Sequence, residues 1–343
     1  MKLAVVGVTG VVGRMILRVL DERAIAIDEL GAFASRDRSE PLRYRERHWP
    51  IRAATPQALA AGEYDAVFFA SSDDASAELA EGCARSGAVV IDNSATFRLA
   101  AGVPLVVPEI NSDAVRASDR IFPVANCTAI VLCVALAPVA RVAGLCSVRV
   151  ATYQAVSGAG KAGLEALADE ERVAYSLEEA TVETPFAAQI FRNVIPLVGR
   201  APDEHGDSGE EKKLAAETRK MLALPELHIA ATTVRVPVRY AHSEAVFIET
   251  ARDTSVDELA AALTAAPGVV FYRTGIVTPR DVEGQDAVHV ARLRAEDGSP
   301  RHFQLWIVGD QVRKGAATNA VQILELLIAR GFVGGARSRV APR

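Results

Sequence analysis

The sequence has 343 residues, is 50% hydrophobic and 24% charged, and carries a formal net charge of −5 at pH 7. A chain of this length and composition is typical of a packed protein of two domains, and it excludes an intrinsically disordered one. The acidic balance argues against nucleic acid or an anionic membrane surface as a partner.

The chain has no sign of export or membrane insertion. The N-terminus lacks the apolar core and cleavage site of a signal peptide, and Pro138 and Arg141 interrupt the most apolar stretch, residues 129–146. We expect a buried helix followed by a strand there. The four cysteines show neither metal-site pairs nor the density of a disulfide framework. These features predict a cytoplasmic protein with no metal site.

The first predicted elements are a strand, a glycine turn and a helix. Gly7, Gly10 and Gly13 follow an apolar run, and Val12, Ile16, Leu17 and Leu20 then repeat at helical spacing. Glycines in such a turn let backbone approach a pyrophosphate, and the helix N-terminus attracts its charge. The turn therefore predicts a dinucleotide site, with an ordinary tight turn as the alternative. Its predicted cofactor contacts are Gly7, Thr9, Gly10, Val11, Val12 and Gly13.

The second predicted strand, residues 28–35, ends where a dinucleotide's adenosine ribose lies. An NAD enzyme favours an acidic residue at that point, whereas this sequence has Ser35, Arg36 and Arg38. Guanidinium groups bind phosphate in a two-pronged fashion, so the pattern favours NADP. A solvated charged loop is the alternative, because Asp37 lies between the two arginines.

Two further strands are predicted at residues 65–71 and 88–94, separated by a helix around Ser76–Ser86. Strands that alternate with helices indicate a parallel, doubly wound sheet. Residues 43–49 alternate charge with bulk and predict an edge strand.

Cys127 is predicted at the N-terminus of the apolar helix, directly after Asn126. A thiol in that position ionises readily because the helix dipole stabilises its anion. Asn126 either caps the helix or points into a site. The other cysteines, Cys83, Cys133 and Cys146, are interpreted as small buried hydrophobic residues.

A nucleophilic thiol needs a partner for proton transfer, and His242 is the best candidate because it lies in a loop between two predicted strands. An ordinary surface histidine is the alternative on this evidence alone. The other histidines lie in polar loops or on strands without such neighbours: His48, His205, His228, His289 and His302.

The middle of the chain changes character. Runs that begin near residues 147, 228, 244, 287 and 302 alternate in hydrophobicity, which is typical of antiparallel strands with one covered face. The second domain is therefore predicted to be α+β, with a largely antiparallel sheet.

Several stretches, nearly end to end and in the same order, resemble the aspartate-semialdehyde dehydrogenase family. They are AVVGVTGVVG, VVIDNSATFR, PLVVPEIN, NCTA, TYQAVSGAGKAG, VRVPV with HSE, and RKGAATNAVQ. The resemblance implies an α/β protein with a Rossmann-type NADP-binding domain and an α+β catalytic and dimerisation domain. The first would comprise residues 1–128 and 315–343, the second residues 129–314. It also implies a homodimer.

The reaction implied by the resemblance is NADPH-dependent conversion of L-aspartyl-4-phosphate to L-aspartate 4-semialdehyde, in the biosynthesis of lysine, threonine, methionine and isoleucine. Cys127 matches the nucleophile that forms a thioester, and His242 matches the acid/base. Gln154 matches a residue that hydrogen-bonds substrate near the thiol. Arg235 matches the group that binds the α-carboxylate. Glu210 matches a residue near the substrate amine.

The phosphate of the substrate is expected to contact Arg98, Asn126 and Lys213. Glu210 and Lys213 are three residues apart, so a helix would carry both on one side. Glu211 and Lys212 are the alternatives in this charged segment.

The resemblance adds three cofactor contacts, Ser157, Gly158 and Asn319, of which the glycine permits a close approach. One stretch departs from the family, which has a small glycine-rich loop where this chain has Asp73 and Asp74. We expect these carboxylates to cap a helix that begins near Ala75.

Two alternatives to this function remain. A related acyl-phosphate reductase, such as N-acetyl-glutamyl-phosphate reductase, shares the cysteine and histidine. A catalytically silent binding relative would have lost its thiol, whereas this chain has Cys127, Gln154, Arg235 and His242.

Overall fold

The computed structural model describes residues 1–176 and 181–333. The chain forms two compact units: Met1–Ala125 with the segment from Ala316 onwards, and Asn126–Gly315. In the described residues, no helix has the length and apolar character needed to cross a membrane.

The strands and helices follow one another in chain order. They are β1 Lys2–Val6, α1 Val11–Glu22, β2 Glu29–Ala34, β3 Leu42–Tyr44, β4 Arg47–Trp49, β5 Ile51–Ala53, α2 Pro56–Ala61, β6 Ala66–Phe69, α3 Asp73–Arg85, β7 Val89–Asp92, α4 Pro108–Asn111, β8 Ile121–Pro123, α5 Cys127–Ala143, β9 Ser147–Gln154, α6 Gly160–Tyr175, α7 Gly209–Leu222, β10 His228–Arg235, β11 His242–Glu249, α8 Val256–Ala265, β12 Val269–Phe271, α9 Pro279–Val282, β13 Val288–Ala295, β14 His302–Gly309 and α10 Thr318–Ala329.

The first unit is built on a parallel sheet with the strand order β5-β2-β1-β6-β7-β8. Its central strands are apolar and almost wholly buried, as expected where helices cover both faces of a parallel sheet. An order that reverses about the first strand is that of a Rossmann-type fold. The predicted doubly wound parallel sheet is confirmed.

Residues 43–49 are not a single edge strand. β3 and β4 form a two-stranded antiparallel hairpin, and the turn residues Arg45 and Glu46 both have positive φ, 49° and 60°. Two consecutive residues with positive φ form a tight hairpin turn whose twist matches that of the two strands. The alternation of bulk and charge was visible in the sequence, but the reversal was missed because neither turn residue is glycine or asparagine.

The second unit contains a mixed sheet with the order β10-β9-β11-β14-β13-β12. The pairs β9–β11, β11–β14 and β13–β14 are antiparallel, whereas β9–β10 and β12–β13 are parallel. The α+β architecture is confirmed, and three of its five pairings have the expected direction. The remaining two differ because alternation reports which face of a strand is covered, not the direction of its neighbour.

Helices α5, α7 and α8 cover one face of this sheet. α5 is buried along almost its whole length, as the apolar stretch predicted. The opposite face carries an apolar group, which we call the outer patch: Ala151, Tyr153, Ala245, Phe247 and Trp306. Tyr153 and Phe247 are 37% and 40% exposed, and the rings of Tyr153 and Trp306 lie 5.5 Å apart.

Candidate active site

Cys127 is the first residue of α5, and Asn126 before it caps the helix. The side-chain oxygen of Asn126 accepts hydrogen bonds from the amides of Thr128 (3.0 Å) and Ala129 (3.2 Å). Asn126 thus serves as the N-cap, and the first helical position is left for Cys127, whose thiol is partly exposed. This placement satisfies the helix end and presents the sulfur beside its positive pole.

His242 begins β11 and is fully buried. Its Nε2 lies 3.5 Å from the Sγ of Cys127, while its Nδ1 accepts a hydrogen bond of 3.0 Å from the amide of Ala155. Burial and the nearby positive charge of Arg235 hold the pKa of His242 well below its ordinary value. The histidine is therefore neutral at neutral pH.

Arg235 ends β10 and is buried. Its Nη1 donates to the carbonyl oxygen of Ala155 at 2.6 Å, and its guanidinium carbon lies 5.5 Å from the centre of the Phe186 ring. Burial lowers the pKa of this guanidinium, and the negative forms of Cys127 and Glu210 oppose that shift. Within the described residues its Nε has no hydrogen-bond partner, so a buried donor is left for a ligand.

Gln154 and Glu210 lie in the same cluster. The Nε2 of Gln154 donates to Thr128 Oγ1 (3.0 Å) and to Glu210 Oε1 (3.2 Å), and Asn126 Nδ2 donates to the same carboxylate oxygen at 2.8 Å. All four side chains are buried. One carboxylate oxygen of Glu210 thus accepts from the side-chain amides of both Asn126 and Gln154.

The choice between the two charged pairs on α7 follows from the capping of that helix. Glu211 and Ser208 form a reciprocal capping box, and Glu211 also accepts the amide of Thr233. Lys212 pairs with Asp203. Glu210 is therefore the glutamate in the cluster, and Lys213, three residues further on, is partly buried on the same side of α7.

Two glycines pack against the reacting groups. A Cβ on Gly158 would lie 2.8 Å from Arg235 Nη1 and 3.4 Å from His242 Nε2. A Cβ on Gly315 would lie 2.8 Å from the Cβ of Cys127. The neighbouring Ser157 is buried, and its hydroxyl bonds to the Arg239 carbonyl and to Gln311.

Three residues of this cluster were missed in the sequence. Ala155 holds both His242 and Arg235 through its N–H and C=O, which give no signal in a residue type. Gly315 belongs to a π-helical stretch, Arg313–Ala317, that no periodicity reveals. Glu217 accepts the backbone amide of Asn126 at 2.5 Å. Its spacing of seven from Glu210, two helical turns, was the one available signal.

In the first unit, Gly7 and Gly13 make the predicted turn. Gly7 has a φ of +89°, and a Cβ there would lie 2.2 Å from the carbonyl oxygen of Ala70. A Cβ on Gly13 would lie 2.3 Å from the Gly7 oxygen. Gly10, the N-cap of α1, supplies no side-chain acceptor, so the first amides of α1 lack a side-chain cap. Thr9 is exposed there, while Val11 and Val12 are partly buried.

Ser35, Arg36 and Arg38 are all exposed just after β2. The intervening Asp37 accepts a hydrogen bond of 2.7 Å from the amide of Ala53. Its carboxylate is thus held by the backbone at the end of β5. The two guanidinium groups remain available for an anion.

The remaining predicted residues of this unit are more enclosed. Arg98 is buried, with Nε and Nη2 donating to the carbonyls of Val124 and Asn93, both at 2.9 Å. Asn319 is fully buried on α10 and donates to Val106 at 3.1 Å. Across the described ranges, no group of three or more histidine, cysteine, aspartate or glutamate side chains could hold a metal ion.

Asp73 and Asp74 do not cap α3 as expected. Ser72 is the N-cap, and its hydroxyl accepts the amide of Ala75. Asp73 accepts the amide of Ala95 at 2.8 Å. The expectation was wrong because a serine one position earlier fills the same role.

A chain that combines a Rossmann-type unit with a unit that presents a cysteine, a histidine and a buried arginine is typical of dehydrogenases that use a thiol on a carbonyl carbon. Two family models match this chain: Semialdehyde dehydrogenase, NAD binding domain, over residues 2–118, and Semialdehyde dehydrogenase, dimerisation domain, over residues 136–314. The chain belongs to the aspartate-semialdehyde dehydrogenase family.

Individual relatives agree with the family models. The aspartate-semialdehyde dehydrogenase of Aquifex aeolicus is 38% identical and covers 97% of this chain and 99% of its own length. Aspartate-semialdehyde dehydrogenase 2 of Vibrio cholerae is 39% identical, covering 95% of this chain and 97% of its own. The crystal structure of aspartate semialdehyde dehydrogenase II from V. cholerae has a TM-score of 0.89 and 36% identity, over 96% of this chain and 98% of that one. The same enzyme complexed with ASA has a TM-score of 0.87 at equal identity and coverage.

Proposed function

We propose that this chain reduces L-aspartyl-4-phosphate to L-aspartate 4-semialdehyde with release of phosphate, in amino-acid biosynthesis. The observation that carries the proposal is the Cys127 sulfur at the tip of α5, 3.5 Å from His242 Nε2. The relatives named aspartate-semialdehyde dehydrogenase, and the V. cholerae complex with ASA, support the substrate.

In the proposed reaction the Cys127 thiolate attacks the acyl phosphate carbon. A carbon–sulfur bond forms, and the bond to the phosphate oxygen breaks as phosphate leaves. A nicotinamide cofactor, when bound, would supply the hydride that reduces the thioester. The resulting alkoxide re-forms a carbonyl and expels the thiolate, which returns Cys127 to its starting state.

Two buried charged groups of the second unit suit the amino-acid end of this substrate. Arg235 offers the α-carboxylate an unpartnered Nε, and Glu210 offers the α-ammonium a negative charge. Gln154, held by Thr128 and Glu210, positions the acyl group near the thiol. Arg98, Asn126 and Lys213 are proposed as phosphate contacts.

We infer that the cofactor is NADP. The N-terminus of α1 has no side-chain cap, which suits a pyrophosphate. Exposed Arg36 and Arg38 beside Ser35 suit the additional ribose phosphate. Ser157, Gly158 and Asn319 are proposed as further contacts. Replacing Arg36 and Arg38 together with alanine should raise KM for NADP strongly and leave KM for NAD nearly unchanged. A wild type that already prefers NAD would overturn this choice.

We further infer that two copies pair through the outer patch of the mixed sheet. Its exposed Tyr153 and Phe247 form an apolar area on the sheet face opposite α5, α7 and α8, and the matching family model is a dimerisation domain.

One assay tests the proposed reaction. The protein should reduce NADP in the presence of phosphate and aspartate semialdehyde, and Cys127→Ser should not. The same assay with N-acetyl-glutamate semialdehyde tests the related reductase, which a higher kcat/KM for that aldehyde would establish instead. An inactive wild type with both aldehydes would leave only a binding role.

A further inference from the structure

The guanidinium group of Arg235 has one position in use and one edge left for a ligand. Its Nη1 donates to the carbonyl oxygen of Ala155, and a Cβ on Gly158 would lie 2.8 Å from the same nitrogen. The buried Nε, in contrast, has no hydrogen-bond partner within the described part of the chain. Nε and Nη2 direct N–H groups the same way and form the side-on edge of a guanidinium group. A carboxylate can bind this edge through two parallel hydrogen bonds.

An aromatic ring covers one face of the same guanidinium group. The ring centre of Phe186 lies 5.5 Å from the guanidinium carbon of Arg235, within the range of a cation–π contact. The tip of the ring is confined, because a Cβ on Gly163 would lie 3.1 Å from it. Phe186 also packs against a cluster of buried apolar residues: Val156, Leu167, Ile190 and Ile195. Packing therefore holds the ring in place beside the cation.

Phe186 belongs to a segment without helix or strand, residues 184–195, which we call the strap. The end of the strap is joined to β10, because Ile195 and Arg235 exchange backbone hydrogen bonds of 2.9 and 2.8 Å. The strap thus contacts Arg235 twice. It fixes the backbone of the arginine through Ile195 and covers its side chain with Phe186.

A buried carboxylate joins the strap to α6 as well. Oε2 of Glu170 accepts the amides of Ile190 at 2.8 Å and Phe191 at 2.7 Å. Two charge-assisted hydrogen bonds to one buried oxygen are costly to break. The strap, and with it the aromatic ring, is therefore in position before any substrate binds.

We propose that Phe186 is a positioning residue for the α-carboxylate of the substrate. Its ring orients the guanidinium plane of Arg235, keeps water from one face, and leaves the edge of Nε and Nη2 for the carboxylate. Phe186 thereby helps to select an α-amino-acid aldehyde over an aldehyde that lacks this carboxylate. The inference rests on the proposed function, because the binding role of Arg235 is itself proposed.

The physical reason lies in the shape of the arginine group. A carboxylate makes two hydrogen bonds to guanidinium only when it lies in the guanidinium plane. The negative face of an aromatic ring attracts the cation and favours a flat contact, so the ring restricts tilting of that plane. Leucine in place of Phe186 would keep an apolar neighbour but would lack the negative face.

The substitution Phe186→Leu tests this role with two aldehydes. One is aspartate semialdehyde, and the other is β-aminopropanal, the same molecule without the α-carboxylate. We expect KM for aspartate semialdehyde to rise roughly tenfold, with kcat within about twofold of wild type. The kcat/KM for β-aminopropanal, or its inhibition constant if turnover is slow, should stay unchanged. An equal loss for both aldehydes would show a structural role only and would overturn the proposal.

Phe191→Leu is the matched control in the same strap. The ring of Phe191 lies 5.1 Å from the guanidinium carbon of Arg192, which is exposed, and this variant should keep the wild-type selectivity. An equal loss of selectivity here would assign the effect to the strap and not to the Phe186 ring. An inactive wild type would overturn the proposed function and this inference together. An active wild type with unchanged selectivity in Phe186→Leu would overturn the inference alone.

A double-mutant cycle tests whether the ring acts through the arginine. In an Arg235→Lys background no planar group remains to be oriented, so adding Phe186→Leu should change KM for aspartate semialdehyde by less than about twofold. If the full effect of Phe186→Leu persisted in that background, the ring would act independently of Arg235 and the proposal would be wrong.

Discussion

The four cysteines occupy four different environments. Burial raises the pKa of Cys83 to about 11 and that of Cys133 further still. Cys146 is exposed near Arg301 at the turn before β9, so its interpretation as a buried residue was wrong. Cys127 alone follows a helix cap and lies beside a histidine. The four thiols should therefore differ more in reactivity than their solvent exposures alone would predict.

We expect iodoacetamide to modify Cys127 first, and Cys83 and Cys133 only on unfolding. Mass spectrometry of the peptide of residues 121–141 would follow the adduct over time. Inorganic phosphate with aspartate semialdehyde should slow the labelling. Cys146, which is exposed but lacks a helix cap, is the internal control. Faster labelling of Cys146 would contradict the role of the helix terminus.

Arg235→Lys should lower kcat/KM roughly thirtyfold, which corresponds to a loss of about 2 kcal/mol of transition-state stabilisation. Lysine keeps the positive charge but lacks the planar guanidinium group that can form two parallel hydrogen bonds. The arginine uses Nη1 on the Ala155 carbonyl and has Nε to spare, whereas one ammonium cannot occupy both positions. Arg239→Lys, on the exposed loop after the same strand, is the matched control. Unchanged kinetics in Arg235→Lys would remove this residue from substrate binding.

Glu244 is fully buried in β11, and neither carboxyl oxygen has a hydrogen-bond partner among the described residues. Burial raises its pKa well above the ordinary value, so the folded protein keeps the carboxyl neutral. The stability of this neutral form is complete below the unfolded-state pKa of about 4.3. It is lost as pH rises towards the folded-state pKa, by up to about 1.4 kcal/mol per pH unit.

Glu244→Gln has no proton to lose. Its free energy of unfolding in urea, relative to wild type, should therefore increase as pH rises from about 5 to 8. Glu249→Gln, at the end of the same strand and ion-paired to Arg301, is the control and should show no such trend. A difference independent of pH would mean that Glu244 is already ionised in the folded protein.

At the scale of single residues, the sequence predicted the members of the candidate site that contribute through their side chains. Cys127, Gln154, Glu210, Arg235 and His242 were all predicted, and the structure brings them together in one unit. Ala155 could not be predicted because its N–H and C=O are present in almost every residue. Their use depends on where the strand places them.

Among the elements, the short π-helical stretch Arg313–Ala317 packs closely against the nucleophile. Its Gly315 meets Cys127 so closely that an added Cβ would lie 2.8 Å from the cysteine Cβ and 3.2 Å from its Cα. Both Cys127 atoms belong to the first turn of α5 and cannot swing aside. Gly315 therefore sets how closely the first turn of α5 can approach this stretch.

Gly315→Ala should move Cys127 relative to His242. We expect kcat to fall by about tenfold or more, since small displacements of a nucleophile are costly, and alkylation of Cys127 to slow in parallel. Circular dichroism should show the fold retained. Gly82→Ala on α3, where a new Cβ meets nothing within 4 Å, is the control and should be silent or slightly stabilising. Full activity in Gly315→Ala would show that the structure accommodates the added methyl group without displacing Cys127.

Element prediction succeeded where burial decides and failed where local conformation decides. The apolar strands β1, β6 and β7 read clearly because helices cover both of their faces. The hairpin of β3 and β4 depends on two positive φ angles at Arg45 and Glu46, residues that seldom adopt them. Sequence periodicity carries no information about such a turn.

For the whole molecule, the proposed dimer contact is the outer patch. Phe247→Glu would place a charge at one end of that patch, where Phe247 lies opposite Arg149 and Gln304 in the sheet register. We expect sedimentation velocity to show a dimer for the wild type and mainly monomer for this variant. Leu99→Glu alters a more exposed apolar residue of the other unit and should remain dimeric. A dimeric Phe247→Glu would move the interface elsewhere.

The dual use of Ala155 has a consequence for mutational tolerance. At Cys127 every replacement removes the reacting atom, so no amino acid should substitute. At position 155, which is fully buried, glycine and serine keep the required backbone groups and the small volume. Proline fits the local φ of −61°, yet its ring would occupy the space into which the N–H points, against His242. A saturation scan should therefore retain function in small residues, lose it gradually with size, and lose it abruptly in proline.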